Sequence, residues 1–359
     1  MSVFSAASFS QHELVTFGHD PVTGLKAIIA VHDTTLGPAL GGTRMWAYEN
    51  EEAALDDVLR LSKGMTYKAA VAGLKLGGGK AVIIGDARTE KTQALLEAYG
   101  RFVDTLNGRY ITAEDVGTSP ADMEIVRRVT RHVVGTAEGG NHDGDPSPAT
   151  AWGTYHGLRA AVQHRLGKDS LAGLTVAIQG VGHVGYWLAR YLHEAGAKLI
   201  VTDLDAKALR RAKKEFGAAI VEPRDIYAAK ADVFAPCAMG AILNDDTIPQ
   251  FKARVIAGSA NNQLAKERHG VALRQRGILY APDYVINAGG IIIISHEGPG
   301  YDEQAAFDDC AKIHGTLATI FQRSDRENEA PHVIADRIAE ERLETARKRL
   351  APLPKRRAG

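Results

Sequence analysis

Residues 174–203 constrain this chain more than any other stretch. Residues 174–179 (LTVAIQ) are an apolar, β-branched run with the character of a strand. Gly180-Val181-Gly182-His183-Val184-Gly185 follows at once, and residues 184–195 then show helical spacing. In such a strand–turn–helix the first glycine permits a tight turn and the second lets the main chain approach a diphosphate. The third lets the helix lie close on the strand. The helix N-terminus offers unpaired N–H groups and positive potential to the same diphosphate. A second strand, 198–202, runs into Asp203, eighteen residues beyond Gly185. A carboxylate there accepts hydrogen bonds from a ribose 2′-hydroxyl and repels a 2′-phosphate, so NAD is expected rather than NADP. The glycine loop and Asp203 are therefore the expected cofactor-binding residues.

The same rhythm continues downstream, with a helix at 206–216 and strands at 218–221, 233–235 and 255–258. Strands alternating with helices predict right-handed crossovers and a parallel sheet covered on both faces. Upstream the pattern differs. Residues 25–31 and 81–84 have strand character, and between them 51–64 carries Leu55, Val58, Leu59 and Ser62 at helical spacing. A further helix is predicted over 91–107, closed by Gly108. The break between the two regions is 135–148 (GTAEGGNHDGDPSP), whose glycines and prolines predict a loop or hinge. A chain of 359 residues thus divides into roughly two domains. The last forty or so residues return to helical spacing, and 352–359 (PLPKRRAG) are expected to be a frayed basic end.

Composition removes several functions. Lys and Arg total 43, and Asp and Glu also total 43. That balance excludes the basic excess on which nucleic-acid binding depends. Cys237 and Cys310 are the only cysteines, too few for a disulfide framework or a cysteine zinc site. The apolar run 291–294 is far too short to span a bilayer, and the first fifteen residues lack the pattern of a secretory signal. A cytoplasmic protein without membrane partners is expected.

A second cluster lies in the first region. Lys68 stands in MTYKAA, and Lys80 ends Gly77-Gly78-Gly79-Lys80 twelve residues later. Three successive glycines before a strand suggest a bend with close backbone approach. Two ammonium groups facing one cleft would repel, and a lysine tuned in this way can act as a base while the other holds a carboxylate. Downstream, 112–118 (TAEDVGT) supplies Glu114 and Asp115 ahead of a helix capped by Ser119.

The segments GPALGGTRMW, LSKGMTYKAAVAGLKLGGGKAVI, ITAEDVGT, GDPSPATAWGTYHGL, APCAMGAILN, IAGSANNQL and YVINAGG occur in this order around the glycine loop. Together they resemble the Glu/Leu/Phe/Val dehydrogenase family, closest to its leucine-type members, from about Phe17 to Ser295. The resemblance implies oxidative deamination of an L-amino acid to the 2-oxo acid and ammonia, with the reverse amination, and it implies no metal. The implied fold is α/β with two domains. Residues 1–148 would form an α/β substrate and oligomerisation domain, to which C-terminal helices within 325–359 return. Residues 149–324 would form a Rossmann-type, doubly wound NAD domain. A homo-oligomer is implied, without a fixed number of subunits.

Residue by residue, the resemblance makes Lys68 the binder of the substrate α-carboxylate, aided by the main chain at Gly41 and Gly42. Lys80 becomes the catalytic lysine and Asp115 the group that relays protons to and from the amine. Asn261 would orient substrate, with Asn262 the alternative for that task or a cofactor contact. Ser147 and Thr150 would meet the nicotinamide end of the cofactor. Leu40 stands where glutamate-specific members carry a lysine, so a dicarboxylate would be left with an unpaired buried anion. Ala113 is similar to leucine-type members, and Ile291 and Ile294 stand where those members carry valines. The added methylenes narrow the pocket and disfavour aromatic rings. Leucine, valine and isoleucine are the expected substrates. The alternatives are a phenylalanine-specific member and an NAD-binding regulator without turnover, the latter opposed by the presence of Lys68, Lys80 and Asp115.

Overall fold

The computed structural model describes residues 3–136, 145–298 and 300–350. Asn141, His142 and Asp143 of the glycine-rich break, and the basic end 352–359, lie outside the described residues. Two compact units emerge, Met1–Thr136 with Asp336–Gly359, and Ala137–Ala335. No helix among the described residues is long and apolar enough to cross a membrane.

The first unit is built on β1 (Leu14–Asp20), β2 (Leu25–Asp33), β3 (Ala39–Trp46), β4 (Gly77–Ile84) and β5 (Tyr110–Glu114), with α1 (Glu51–Ala72), α2 (Gln93–Asp104) and α3 (Pro120–Arg127). The sheet order is β1-β2-β4-β3-β5. Strand β4 runs antiparallel to β2 and parallel to β3, which is parallel to β5. Because side chains alternate along a strand, each face of this sheet has its own core. One face carries Ile29, Val31, Ala81 and Ile83 under α2 and α3, and the other carries Ile28, Ala30 and Val82 under α1. Helix α1 runs to Ala72, past the predicted end at 64, and its two caps were not singled out from sequence. Asn50 caps α1 by accepting from the Ala53 N–H, and Gly73 ends it in the left-handed region at φ 75°. Ser119 caps α3. Helix α2 stops at Asp104, short of the predicted end, because Asn107 and Gly108 both take positive φ in the turn to β5.

The second unit opens with α4 (Ser147–Leu166), followed by β6 (Thr175–Gln179), α5 (His183–Glu194), β7 (Lys198–Thr202), α6 (Ala206–Phe216), β8 (Ala219–Ile220), β9 (Val233–Pro236) and β10 (Val255–Ile256). Then come α7 (Arg268–Gln275), β11 (Leu279–Tyr280), α8 (Asp283–Ile286), α9 (Gly289–Ser295), α10 (Glu303–Ala311) and α11 (Ile313–Glu327), and α12 (Pro331–Leu350) leads back to the first unit. All pairings are parallel, in the order β11-β10-β9-β6-β7-β8. Counted from β6 as the first strand, this is 3-2-1-4-5-6 reversed, the doubly wound dinucleotide-binding order. The order reverses at β6, the strand that feeds the glycine loop, and ligands of such sheets bind at that point. Residues 291–294 lie in helix α9, where Ile291 and Ile294 share a face three residues apart.

Candidate active site

In the first unit, strand parity decides which side chains can meet. The register sets Leu40 beside Gly78 and Ile111, and Gly42 beside Ala113. Leu40, Gly42, Arg44, Lys80, Val82 and Ala113 therefore share the face covered by α1. Asp115 follows directly on β5 and reaches the same face. Helix α1 contributes Lys68, half-buried, two residues beyond Thr66, whose main chain lies against Gly78. Leu40, Ala113 and Lys80 are buried, Lys80 at 6% exposure.

The glycines work differently from the predicted bend. Gly77, Gly78 and Gly79 are extended residues inside β4, and none of them takes positive φ. What they supply is space. A Cβ on Gly78 would lie 2.0 Å from the Thr66 nitrogen, and one on Gly77 would lie 2.2 Å from the Asp33 oxygen. On β3, a Cβ on Gly41 would lie 1.8 Å from the Gly79 oxygen, and one on Gly42 would lie 2.2 Å from the Glu114 oxygen. The missing side chains let α1, β4 and β5 close around Lys80 and Asp115.

The polar core of this face is an ionic chain. Lys80 Nζ lies 2.6 Å from Asp115 Oδ2, and Arg44 Nε lies 3.2 Å from the same oxygen. Arg44 Nη1 reaches Asp57 Oδ2 at 2.8 Å; Asp57 also accepts from Tyr48 OH at 2.7 Å and pairs with Arg60 at 2.8 Å. Burial alone would push the Asp115 carboxyl up, but the Lys80 ammonium and the Arg44 guanidinium outweigh it and hold it at about 2. Asp115 is thus a carboxylate throughout the working pH range. Its main chain is fixed too, since the Asp115 N–H donates to Thr118 Oγ1 at 2.9 Å and that hydroxyl donates to the Thr43 carbonyl at 2.8 Å. Behind the site, on the opposite face, Thr43, Tyr99 and Thr112 hydroxyls bond one another at 2.5 to 2.9 Å, and Tyr110 OH donates to the Gly41 carbonyl at 2.6 Å. Sequence reading singled out neither Arg44 nor Asp57. Lys75 is exposed in the loop between α1 and β4.

In the second unit, the fingerprint glycines each have a visible task. Gly180 has φ +93°, a conformation side chains resist. A Cβ on Gly185 would lie 2.0 Å from the Gly180 oxygen, so close packing of α5 needs a glycine there. Around Gly182, at the start of α5, a Cβ would meet nothing within 4 Å. No side chain caps α5, so its first N–H groups face that space. A cavity of about 410 Å³ opens beside it, lined by Val181, Gly182, His183, Tyr186, Lys207 and Arg211 among others. Val184 is half-buried on the first turn. Asp203 accepts from the Val181 N–H at 2.7 Å and the Asp205 N–H at 2.8 Å, tying the end of β7 to the glycine loop. The carboxylate stays half-exposed with acceptor capacity left for a hydroxyl. A diphosphate on uncapped N–H groups and a ribose at Asp203 both fit these residues.

A second group gathers where α4, α8 and α9 meet. Ser147 is buried at the start of α4, and Thr150 Oγ1 donates to the Pro146 carbonyl at 2.9 Å. Gly290 brings α9 so near that a Cβ would lie 2.9 Å from Thr150 Oγ1. Asn287, just ahead of α9, donates to Asn261 Oδ1 at 2.6 Å and to the Ser259 carbonyl at 3.2 Å. Its own Oδ1 is buried without a hydrogen-bond partner, an unmet acceptor of the kind a ligand N–H satisfies. Asn262 takes φ 51° in the adjoining turn. Ile291 is buried and Ile294 half-buried on α9. Asn287 was not singled out from sequence, although it lies in the YVINAGG segment.

Comparison with known proteins finds matches along both units. The model of the Glu/Leu/Phe/Val dehydrogenase dimerisation domain matches residues 12–132, and that of Glutamate/Leucine/Phenylalanine/Valine dehydrogenase matches 139–209 and 201–325. Leucine dehydrogenase of Geobacillus stearothermophilus is 55% identical over 98% of this chain and 96% of its own length. Leucine dehydrogenase of Bacillus subtilis is 53% identical over 97% of this chain and 96% of its own. The crystal structure of L-tryptophan dehydrogenase from Nostoc punctiforme superposes with a TM-score of 0.83 at 48% identity, covering 94% of this chain and 97% of that one.

Proposed function

The chain belongs to the Glu/Leu/Phe/Val dehydrogenase family, and from that premise we propose that it is an NAD-dependent dehydrogenase of branched-chain L-amino acids. Leucine, valine and isoleucine are deaminated to 2-oxo acids with release of ammonia, and the reverse amination uses the same groups. The observation that carries the reading is the pair of the buried Lys80 with Asp115 at 2.6 Å on a face shared with Leu40 and Ala113. The nicotinamide, when bound, supplies the hydride acceptor.

Each remaining task falls to a side chain of this protein. Lys68 holds the substrate α-carboxylate, a role for a point charge on a flexible stem. Lys80, as the neutral amine left once its own proton has passed to solvent in alkaline buffer, takes the proton of the water that adds to the imine carbon, and the resulting ammonium stabilises the oxygen that becomes the carbonyl. Asp115, ionised in this setting, accepts a proton from the amine and returns one to departing ammonia. On the cofactor side, the uncapped start of α5 and Gly182 suit a diphosphate, Asp203 suits a free 2′-hydroxyl, and the unmet Asn287 Oδ1 suits a carboxamide N–H. NAD rather than NADP follows from the Asp203 charge.

Leu40 and Ala113 present apolar surface to the substrate side chain and offer nothing to pair a second carboxylate, which disfavours glutamate. The high identity to leucine dehydrogenases supports aliphatic substrates over the indole ring of the Nostoc relative. A homo-oligomer is proposed, in keeping with the description of the matched N-terminal model.

The test is NADH formation with a panel of L-amino acids in alkaline buffer. Leucine, valine and isoleucine are expected to show the highest kcat/KM. Absence of NADH with all three, or a higher kcat/KM for phenylalanine than for any of them, would overturn the reading.

A further inference from the structure

Arg44 occupies a place that neither the chemistry above nor the sequence motifs assign. It lies on β3 with its guanidinium between two carboxylates, Nε on Asp115 and Nη1 on Asp57. Asp57 is held in turn by Tyr48 OH and Arg60, so the fork is anchored at its far end on α1. Charges alternate along the chain of contacts: Lys80, Asp115, Arg44, Asp57, Arg60. Asp56 lines, with Arg44, Asp57 and Arg60, a cavity of about 550 Å³ that neither Lys80 nor Asp115 lines. Arg44 therefore borders this cavity and touches Asp115 of the reacting pair.

We propose that Arg44 is a positioning residue that sets the proton affinity of the Lys80–Asp115 pair and holds its carboxylate in place, with Asp57 as its anchor. This rests on the dehydrogenase reading above. A fixed cation 3.2 Å from the shared carboxylate disfavours any additional proton on the pair. The guanidinium thus favours the state of the pair that holds one proton fewer. A lysine at position 44 would keep the charge but not the fork, because one ammonium cannot present two nitrogens in fixed directions to Asp115 and Asp57.

The test compares wild type with Arg44→Gln, Arg44→Lys and Asp57→Asn, measuring kcat/KM against pH with leucine as substrate and NADH affinity by fluorescence. Wild-type turnover is established first, because its absence refutes the dehydrogenase reading itself and leaves no variant to compare. Arg44→Gln removes a cation, so the rising limb of the profile is expected to move up by about one pH unit, with kcat about ten-fold lower and NADH affinity unchanged. Asp57→Asn keeps a side-chain oxygen for Arg44 but removes the neutralising charge, so the limb moves the opposite way. Arg44→Lys lowers kcat and leaves the limb near its wild-type position. A limb that stays fixed in Arg44→Gln, even with activity lost, would make Arg44 merely structural and overturn the proposal. Should that variant not fold, a fixed limb in Asp57→Asn overturns it equally.

Discussion

Replacing Asp115 by asparagine tests whether the ionic chain at Lys80 is held by charge or by shape. The substitution keeps the volume and an oxygen acceptor but removes the anion shared by Lys80 at 2.6 Å and Arg44 at 3.2 Å. In the folded protein the carboxyl sits at about 2 against an ordinary value of 3.8. At roughly 1.4 kcal/mol per pH unit, that depression corresponds to about 2 kcal/mol of stability. It is fully present above the ordinary value and is lost only as pH falls through the folded one. The asparagine variant loses this contribution at neutral pH and also leaves a nearly buried ammonium beside a guanidinium with no anion between them. Breaking a buried pair from one side costs about 3 to 5 kcal/mol, and the partial exposure of Asp115 places the expected loss near the lower end. Urea unfolding at pH 7.5 is expected to show a fall of about 2 to 3 kcal/mol. Leucine deamination is expected to fall by about two to four orders of magnitude, with NADH affinity retained. Unchanged stability together with substantial turnover would refute the assignment of both the charge and the proton relay to Asp115.

Other substitutions probe separate parts of the structure. Lys80→Ala is expected to abolish turnover while NADH fluorescence titration shows nearly unaltered binding, since the glycine loop belongs to the other unit; substantial retained kcat would remove Lys80 from its role. Asp203→Ala is expected to reduce the NAD-to-NADP preference at least ten-fold, equivalent to about 1.4 kcal/mol, and an unchanged ratio of kcat/KM values would refute it. The buried pair His12 and His32 predicts loss of stability in mild acid. Burial, followed by the neighbouring His12, lowers the His32 pKa to about 4 from 6.5. The unfolded chain therefore binds the extra proton first, and stability worth about 3 kcal/mol is lost as pH falls from 6.5 toward 4. His32→Gln should flatten unfolding free energy over that window, which lies above the one set by Asp115, and an unaltered slope would sink the assignment.

How much of this was legible in the sequence depends on the range over which each feature is determined. The glycine loop, Asp203, the cap of α3, and the parallel rhythm of the second unit were readable because each is fixed by residues adjacent along the chain. The triple glycine was only half readable. Its composition announces close approach, but whether glycine supplies a turn or room depends on what packs above it, and here Thr66 of α1 occupies the space a side chain would need at Gly78. Arg44 and Asp57 were not legible at all. Their meeting requires the parity of β3, the orientation of α1 and the register between β3 and β5 to be known together. Asn287 stayed silent for a like reason, since its partner Asn261 is distant in sequence and only the fold of the second unit joins them. The apolar run at α9 had the opposite failing, because four consecutive isoleucines carry no period of their own and only the helix separates Ile291 and Ile294 from their neighbours. Beyond the triple glycine and this run, what the sequence withheld is the pairing of polar side chains across elements. In this protein those pairings hold Asp115 as a carboxylate, so the reaction type was readable from motifs while the charge state of that group is a property of the assembled sheet and its side-chain contacts.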